Sequence, residues 1–265
     1  MKSYSPLRDM GAFSFETRVD GEAPKATLHY HDRFEVYYLQ GGTCWYFIDK
    51  KSYRLTEGDI ALIPAGVIHK TSYDTTKSSR SLLLCAESAI PESARQVMAQ
   101  IPYFPKSRED AALVDNLFHR IQHEYENPDE YSVDAVQALV AELFLLIARK
   151  SRKGHHEKQE SPIVEKAAGY IQERYMESVT LHDVAEYCFV SREHLSRIFK
   201  RETGFGFNEY LNIYRLKKAN AILTENPKSK VSQVAVRCGF GDSNYFSKQY
   251  KKMYGVAPTQ TKRGG

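Results

Sequence analysis

The sequence predicts a two-domain α+β protein: a β-barrel or sandwich followed by helices, then an all-α half. Three observations carry that prediction. Short β-branched and aromatic runs crowd residues 26–86, a polar stretch without apolar residues follows residue 148, and a fifty-residue repeat runs through the second half. At 265 residues the chain has room for two domains of roughly 100–200 residues each. A core of that size needs no disulfide staple. Charged residues at 26% and aromatics at 12% are those of a globular chain.

The strand signals are Glu35 to Leu39, Thr43 to Ile48, Ile60 to Ile63 and Ser81 to Cys85. Gly41-Gly42, Asp49-Lys50-Lys51 and Glu57-Gly58-Asp59 punctuate them as turns. Several short strands at such spacing suit a sandwich or barrel. Two amphipathic helical patterns come next, one on Leu113, Leu117, Phe118 and Ile121, the other on Val136, Leu139, Val140, Leu143, Phe144 and Ile147. The most apolar segment, Leu139 to Ala148, is broken by Glu142, so a membrane span is not expected. The N-terminus lacks the apolar core of a secretory signal. Cys44, Cys85, Cys188 and Cys238 never form CxxC pairs and read as reduced thiols of a cytoplasmic protein.

Arg149 to Pro162 reads as a solvated linker region. It gives a first domain at 1–150, a linker at 151–161 and a second domain at 162–265. Charge divides there too. Residues 156–265 hold 18 Lys and Arg against 12 Asp and Glu, whereas residues 1–155 hold 19 against 21. The basic half is the one expected to meet a polyanion.

The repeat names that polyanion. Leu181, Val184, Ala185 and Cys188 recur as Val231, Val234, Ala235 and Cys238; after a one-residue insertion, Ser191, Leu195, Phe199 and Gly204 recur as Asp242, Phe246, Tyr250 and Gly255. Each copy reads as a short helix, a tight turn and a second helix, with Ser191 and Asp242 as N-caps. This is the helix-turn-helix layout, whose second helix enters the DNA major groove. With Leu195, Ile198 and Phe199 facing inward, Arg192, Glu193, Ser196, Arg197, Lys200 and Arg201 are left for DNA. In the second copy Ser243, Asn244, Ser247, Lys248, Lys251 and Lys252 are left outside. Arg bonds guanine bidentately, Asn reads adenine, and Lys or Ser holds phosphate.

Residues 161–259 resemble the DNA-binding domain of AraC/XylS-type transcription regulators. The match runs through Val190-Ser191, Leu195-Ser196-Arg197-Ile198-Phe199-Lys200, Thr203-Gly204, Tyr210-Leu211-Asn212 and Arg215-Leu216-Lys217-Lys218-Ala219. It continues with Gly239-Phe240, Asp242, Tyr245-Phe246-Ser247-Lys248 and Gly255-Val256-Ala257-Pro258. The family usually has a Tyr-Arg pair soon after the Pro; Thr259-Gln260-Thr261-Lys262 stands here instead. The resemblance implies a long helix over residues 205–225 joining the two DNA-reading units.

The first half carries His29, His31 and Glu35, then Gly41; Gly58, Pro64, Gly66 and His69 follow. On an extended strand His29, His31 and Glu35 share one face, and His69 follows a Pro-Gly turn. These spacings resemble the two cupin motifs, with Tyr73 where the second often ends in Asn, and imply a cupin-like barrel. Imidazoles with a carboxylate suit a divalent transition metal, so His29, His31, Glu35 and His69 are candidate metal ligands. A metal-free polar pocket built from the same residues is the reading placed ahead of metal. Tyr37 shares their nominal face. Trp45 and Phe47 either line the barrel, where they would stack on a sugar ring, or are core aromatics. The effector set is therefore His29, His31, Glu35, Tyr37, Trp45 and His69.

The expectation is an effector-responsive regulator of double-stranded DNA, not an enzyme. It would be a homodimer through residues 107–150, sense a small molecule such as a carbohydrate, and as an activator meet RNA polymerase. A metal-dependent cupin enzyme fused to a DNA-binding domain is the alternative. A constitutive regulator without ligand is a third reading.

Overall fold

The computed structural model describes residues 3–22, 33–73, 77–98, 103–104, 111–151 and 162–261. The chain divides into two compact units, Met1–Ser161 with Glu202–Gly204, and Pro162–Arg201 with Phe205–Gly265. No described helix is long and apolar enough to cross a membrane.

The first unit is a pair of antiparallel sheets with helices on one outer face. Its strands are β1 (Ser3–Met10), β2 (Phe13–Glu22), β3 (Phe34–Gly41), β4 (Thr43–Ile48), β5 (Lys51–Thr56), β6 (Ile60–Ile63), β7 (His69–Tyr73), β8 (Lys77–Cys85) and β9 (Tyr103–Phe104). One sheet runs β1-β2-β8-β3-β6-β9 and the other β5-β4-β7. Alternation along β3 sends Tyr37 and Leu39 to the inner face, where they meet Cys44, Tyr46 and Ile48 of the second sheet. Phe34, Val36 and Tyr38 go to the outer face. There they pack on α1 (Glu92–Met98), α2 (Ala111–Glu126) and α3 (Ser132–Ser151). Phe34 meets Phe144 edge-on at 5.5 Å and Tyr38 stacks on Phe118 at 4.6 Å. The α2 stripe differs from the sequence reading by one place: Val114 is buried and Leu113 is 42% exposed. A stripe of Val114, Leu117, Phe118 and Ile121 keeps the i, i+3, i+4, i+7 spacing that one helix face requires.

Strands β1, β2, β5, β7 and β9 were not expected. Lys51 was read as turn, but Asp49 alone adopts the left-handed conformation there (φ 57), so the chain re-enters the sheet at Lys51. His69 was expected after a turn; it opens β7, paired with Ile48, and Gly66 supplies the left-handed turn residue (φ 71).

The second unit is all helix: α4 (Pro162–Arg174), α5 (Leu181–Tyr187), α6 (Arg192–Thr203), α7 (Phe207–Glu225), α8 (Val231–Arg237), α9 (Ser243–Tyr254) and α10 (Pro258–Thr261). The joining helix α7 spans the region that the resemblance implied. The repeat positions Val184, Ala185, Cys188, Leu195 and Phe199 are buried, as are Val234, Ala235, Cys238, Phe246 and Tyr250. Where the family's Tyr-Arg pair is missing, the Thr261 hydroxyl lies 3.0 Å from the Tyr250 hydroxyl, which also bonds Asn220.

Candidate DNA-reading surface and ligand pocket

Two helix-turn-helix units flank α7. In the first, Val190 N–H donates to the Ala185 carbonyl at 3.0 Å; in the second, Phe240 N–H donates to Ala235 at 3.0 Å. The turns are thus superimposable in hydrogen bonding, and the extra residue of the second copy, Gly241, falls just after them. Ser191 accepts from the His194 amide at 3.1 Å, capping α6. Asp242 accepts from Asn244 and Tyr245 amides at 2.6 and 3.1 Å, capping α9. Gly204 (φ 71) and Gly255 (φ 75) follow the two second helices in the left-handed conformation that suits a C-terminal stop.

On α6, Arg192, Glu193, Ser196, Arg197 and Lys200 are all exposed. Arg197 lies 3.4 Å from the His194 ring, and Lys200 is 3.7 Å from Glu209. Glu193 has a local role: its own backbone N–H first, then the Ser191 hydroxyl, hold its carboxyl below the usual range. It caps its own helix start. On α9, Ser243, Asn244, Lys248 and Lys251 are exposed, while Ser247 is half-buried and donates to the Ser243 carbonyl at 2.9 Å. Four buried cysteines offer no reactive thiol; burial pushes Cys238 up to about 11.

In the first unit, the inner faces of the two sheets enclose a polar cluster. Glu35 is buried and accepts from the Tyr46 hydroxyl, and its other oxygen is 3.2 Å from His69 Nε2. His69 Nδ1 faces the Val67 carbonyl at 2.8 Å, so that nitrogen carries a proton. His69 Nε2 and the Glu35 carboxylate thus sit together as one buried pair. Tyr46 stacks near the His69 ring at 6.3 Å and meets Tyr37 edge-on at 4.9 Å. Tyr37 and Tyr73 hydroxyls are 2.8 Å apart. Burial above all, then Glu35, pushes the Tyr46 hydroxyl well above the usual range, so it remains a donor. Arg80 lies 5.9 Å over the Tyr37 ring and 2.5 Å from Glu16. Burial lowers its guanidinium, but Tyr73, Tyr37, Glu16 and Glu35 outweigh that and keep it charged.

The structure thus joins Glu35, Tyr37 and His69 of the expected set. His29 and His31 lie outside the described residues. Trp45 is not in this interior: Cys44, Tyr46 and Ile48 occupy the inward positions of β4, and Trp45 turns the other way, with the Arg54 guanidinium 5.7 Å from its ring. By strand alternation the inward aromatic of β4 is Tyr46. Tyr46, Arg80 and Glu16 were missed, although Glu16 stands in an alternating run, Phe13 to Arg18, that could have revealed β2. Among the described residues no three His, Cys, Asp or Glu side chains converge as a metal group. Glu35 and His69 are engaged with each other, Tyr46 and Val67. That arrangement is a buried hydrogen-bonded cluster.

Comparison with known proteins gives this architecture its class. The AraC-like ligand binding domain family matches residues 18–161, more than half of the chain, and a helix-turn-helix domain family matches residues 184–264. The chain belongs to the AraC/XylS-type regulators: it is an effector-responsive, DNA-binding transcription regulator. It is similar to the HTH-type transcriptional activator RhaR of Mannheimia succiniciproducens, 24% identical over 89% of this chain and 87% of that protein. It is also similar to the activator RhaS of an Enterobacter species, 23% identical over 93% and 91%. Among solved structures, the C-terminal domain of the response regulator AraT from Geobacillus stearothermophilus is 38% identical, covers 40% of this chain and 87% of its own, and has a TM-score of 0.38.

Proposed function

We propose that the protein is a transcription activator whose first domain, residues 1–150, binds a neutral polyhydroxylated molecule, a sugar, and whose second, residues 162–265, reads two adjacent major grooves. The observation that carries the ligand class is the buried Glu35–Tyr46–His69 cluster with Tyr37, Tyr73 and Arg80. Its polar groups face one another, Glu35 against His69 Nε2 and the Tyr46 hydroxyl, and Glu16 against Arg80. A charged ligand would have to break one of those pairs in a buried site, which is costly. Hydroxyl groups both donate and accept, so they can exchange into such a network without stranding a charge. The activators RhaR and RhaS among the relatives support the direction of control. The same reading includes a cytoplasmic homodimer, contact with RNA polymerase, and His29 and His31 as further pocket residues. On DNA, Arg192, Arg197 and Asn244 read bases, while Ser196, Lys200, Ser243, Ser247, Lys248 and Lys251 hold the backbone.

Titration calorimetry of the full chain against neutral sugars and the matching sugar acids tests this. One or more neutral sugars should bind, and Tyr46→Phe should weaken that binding by about 1–2 kcal/mol with operator affinity in the absence of sugar unchanged. Binding of the acids alone, or sugar binding indifferent to Tyr46→Phe and His69→Ala, would overturn the ligand assignment.

A further inference from the structure

Each helix-turn-helix unit packs on its own part of α7. Tyr210 of α7 meets Phe199 at 5.5 Å and Phe205 at 5.9 Å on the first unit's side. Leu216, Ala219 and Leu223 join Val234, Ala235, Phe246 and Tyr250 in the second unit's core. A continuous helix fixes the distance between the units. It fixes the angle between their seats as well, but not how each unit rocks on its seat. Something between them must fix that.

Arg215 stands at the junction. Its Nε donates to the Tyr175 carbonyl and its NH2 to the Glu177 carbonyl, both at 2.7 Å. Tyr175 and Glu177 belong to the loop that leads from α4 into the first unit. The same guanidinium lies 5.9 Å over the Phe240 ring, in the turn of the second unit. Gly239 closes the contact: at φ 84, a Cβ there would come 2.6 Å from the Tyr175 carbonyl oxygen and 2.9 Å from Arg215 Nε. The Tyr175 ring packs against the second unit's core and meets Tyr214 at 5.2 Å. A loop of one unit, the turn of the other and the joining helix therefore meet on one planar, half-buried side chain. The planar fork of arginine can bind two carbonyls while its face stacks on a ring; the point charge of lysine cannot.

We infer that Arg215 is a positioning residue that sets the relative orientation of the two recognition helices, and so the half-site spacing the protein accepts. This rests on the reading that α6 and α9 enter successive grooves, about 34 Å apart on the duplex. If one unit turns relative to the other, the second binding event loses its geometry and with it the avidity of linked sites.

The experiment uses duplexes that the wild-type full chain selects from a randomised pool. Versions with one base pair added or removed between half-sites, and single half-sites, complete the set. Wild type should prefer the selected spacing by roughly tenfold or more. Arg215→Lys and Phe240→Leu should shrink that preference to about threefold or less and leave single half-site affinity unchanged. Arg215→Ala should act likewise where its melting curve shows it folded; otherwise the two milder variants decide. Variants that keep the wild-type spacing preference, or that lose single half-site binding in equal measure, would overturn the role of Arg215. A wild type indifferent to spacing would instead overturn the adjacent-groove reading, and the inference with it.

Discussion

The two helix-turn-helix units share a backbone and differ in the cap of the first helix and in the residue that makes the turn. The first helix of unit one, α5, begins with a capping box: Thr180 N–H and hydroxyl both donate to Asp183 at 2.8 Å, and the Asp183 amide donates back at 3.3 Å. Its counterpart α8 begins at Lys230 with no side-chain cap. Both turns need one left-handed residue. In unit one it is Phe189 (φ 58), 90% exposed; in unit two it is Gly239 (φ 84), against Tyr175 and Arg215. A non-glycine residue costs roughly 1 kcal/mol in that conformation, which an open turn can bear. A closed turn cannot hold any Cβ. The difference teaches that the motif demands a conformation, while the neighbours decide which residue can supply it.

The largest way to break the symmetry is at that turn. Gly239→Ala should destabilise the helical domain by about 2–3 kcal/mol, seen as an earlier denaturant midpoint in circular dichroism. Phe189→Gly should change it by no more than about 1 kcal/mol, and towards stability. Equal losses at both positions would mean that the second turn is not closed as described.

Recognition faces offer the next contrast. Arg197→Ala should cost about 1–3 kcal/mol of specific binding and relax preference at one base pair. Lys251→Ala should weaken binding to all sequences and reduce the salt slope by about one. Gel-shift titrations at several salt concentrations separate the two; the opposite pattern would reverse the roles of α6 and α9.

Caps come third. Ser191→Ala and Asp242→Ala should each cost about 1 kcal/mol of stability, since both second helices are capped by a side chain. Thermal melts of the two variants should shift alike.

The smallest effect concerns acid. Thr180, through its backbone and then its side chain, holds the exposed Asp183 carboxyl below the usual range. A carboxyl depressed in the folded state stabilises it above the unfolded value, about 3.9, and that contribution fades as pH falls through the depressed value. The hydrogen-exchange protection factor at the start of α5, corrected for the intrinsic rate, should therefore fall at low pH. Exchange at the start of α8, without such a carboxylate, should show no matching loss of protection.

Much of the second unit was legible because its signals are short-range. The repeat spacing, the caps Ser191 and Asp242 and the buried set at Val184, Ala185, Leu195 and Phe199 all follow from helical period and capping chemistry within a few residues. Arg215 stood in the matching motif without a role, because its partners Tyr175 and Phe240 are forty and twenty-five residues away. In the first unit, Glu35 and His69 were read as neighbours from alternation and a turn. Trp45 and Tyr46 were not told apart, because Cys44-Trp45-Tyr46-Phe47 is apolar or aromatic on both faces.

By itself, then, the sequence determined the two helix pairs of the DNA-reading half, the caps Ser191 and Asp242 and, through their recurrence, that two copies exist, since periodicity and capping are written within one or two helical turns. The tertiary structure decided which face of β4 looks inward, that Tyr46 rather than Trp45 meets Glu35, and that one arginine joins the two copies. Strand faces are chosen by pairing with β5 and β7, and the arginine by loops far off in the chain. Contacts of that kind have no local period to betray them.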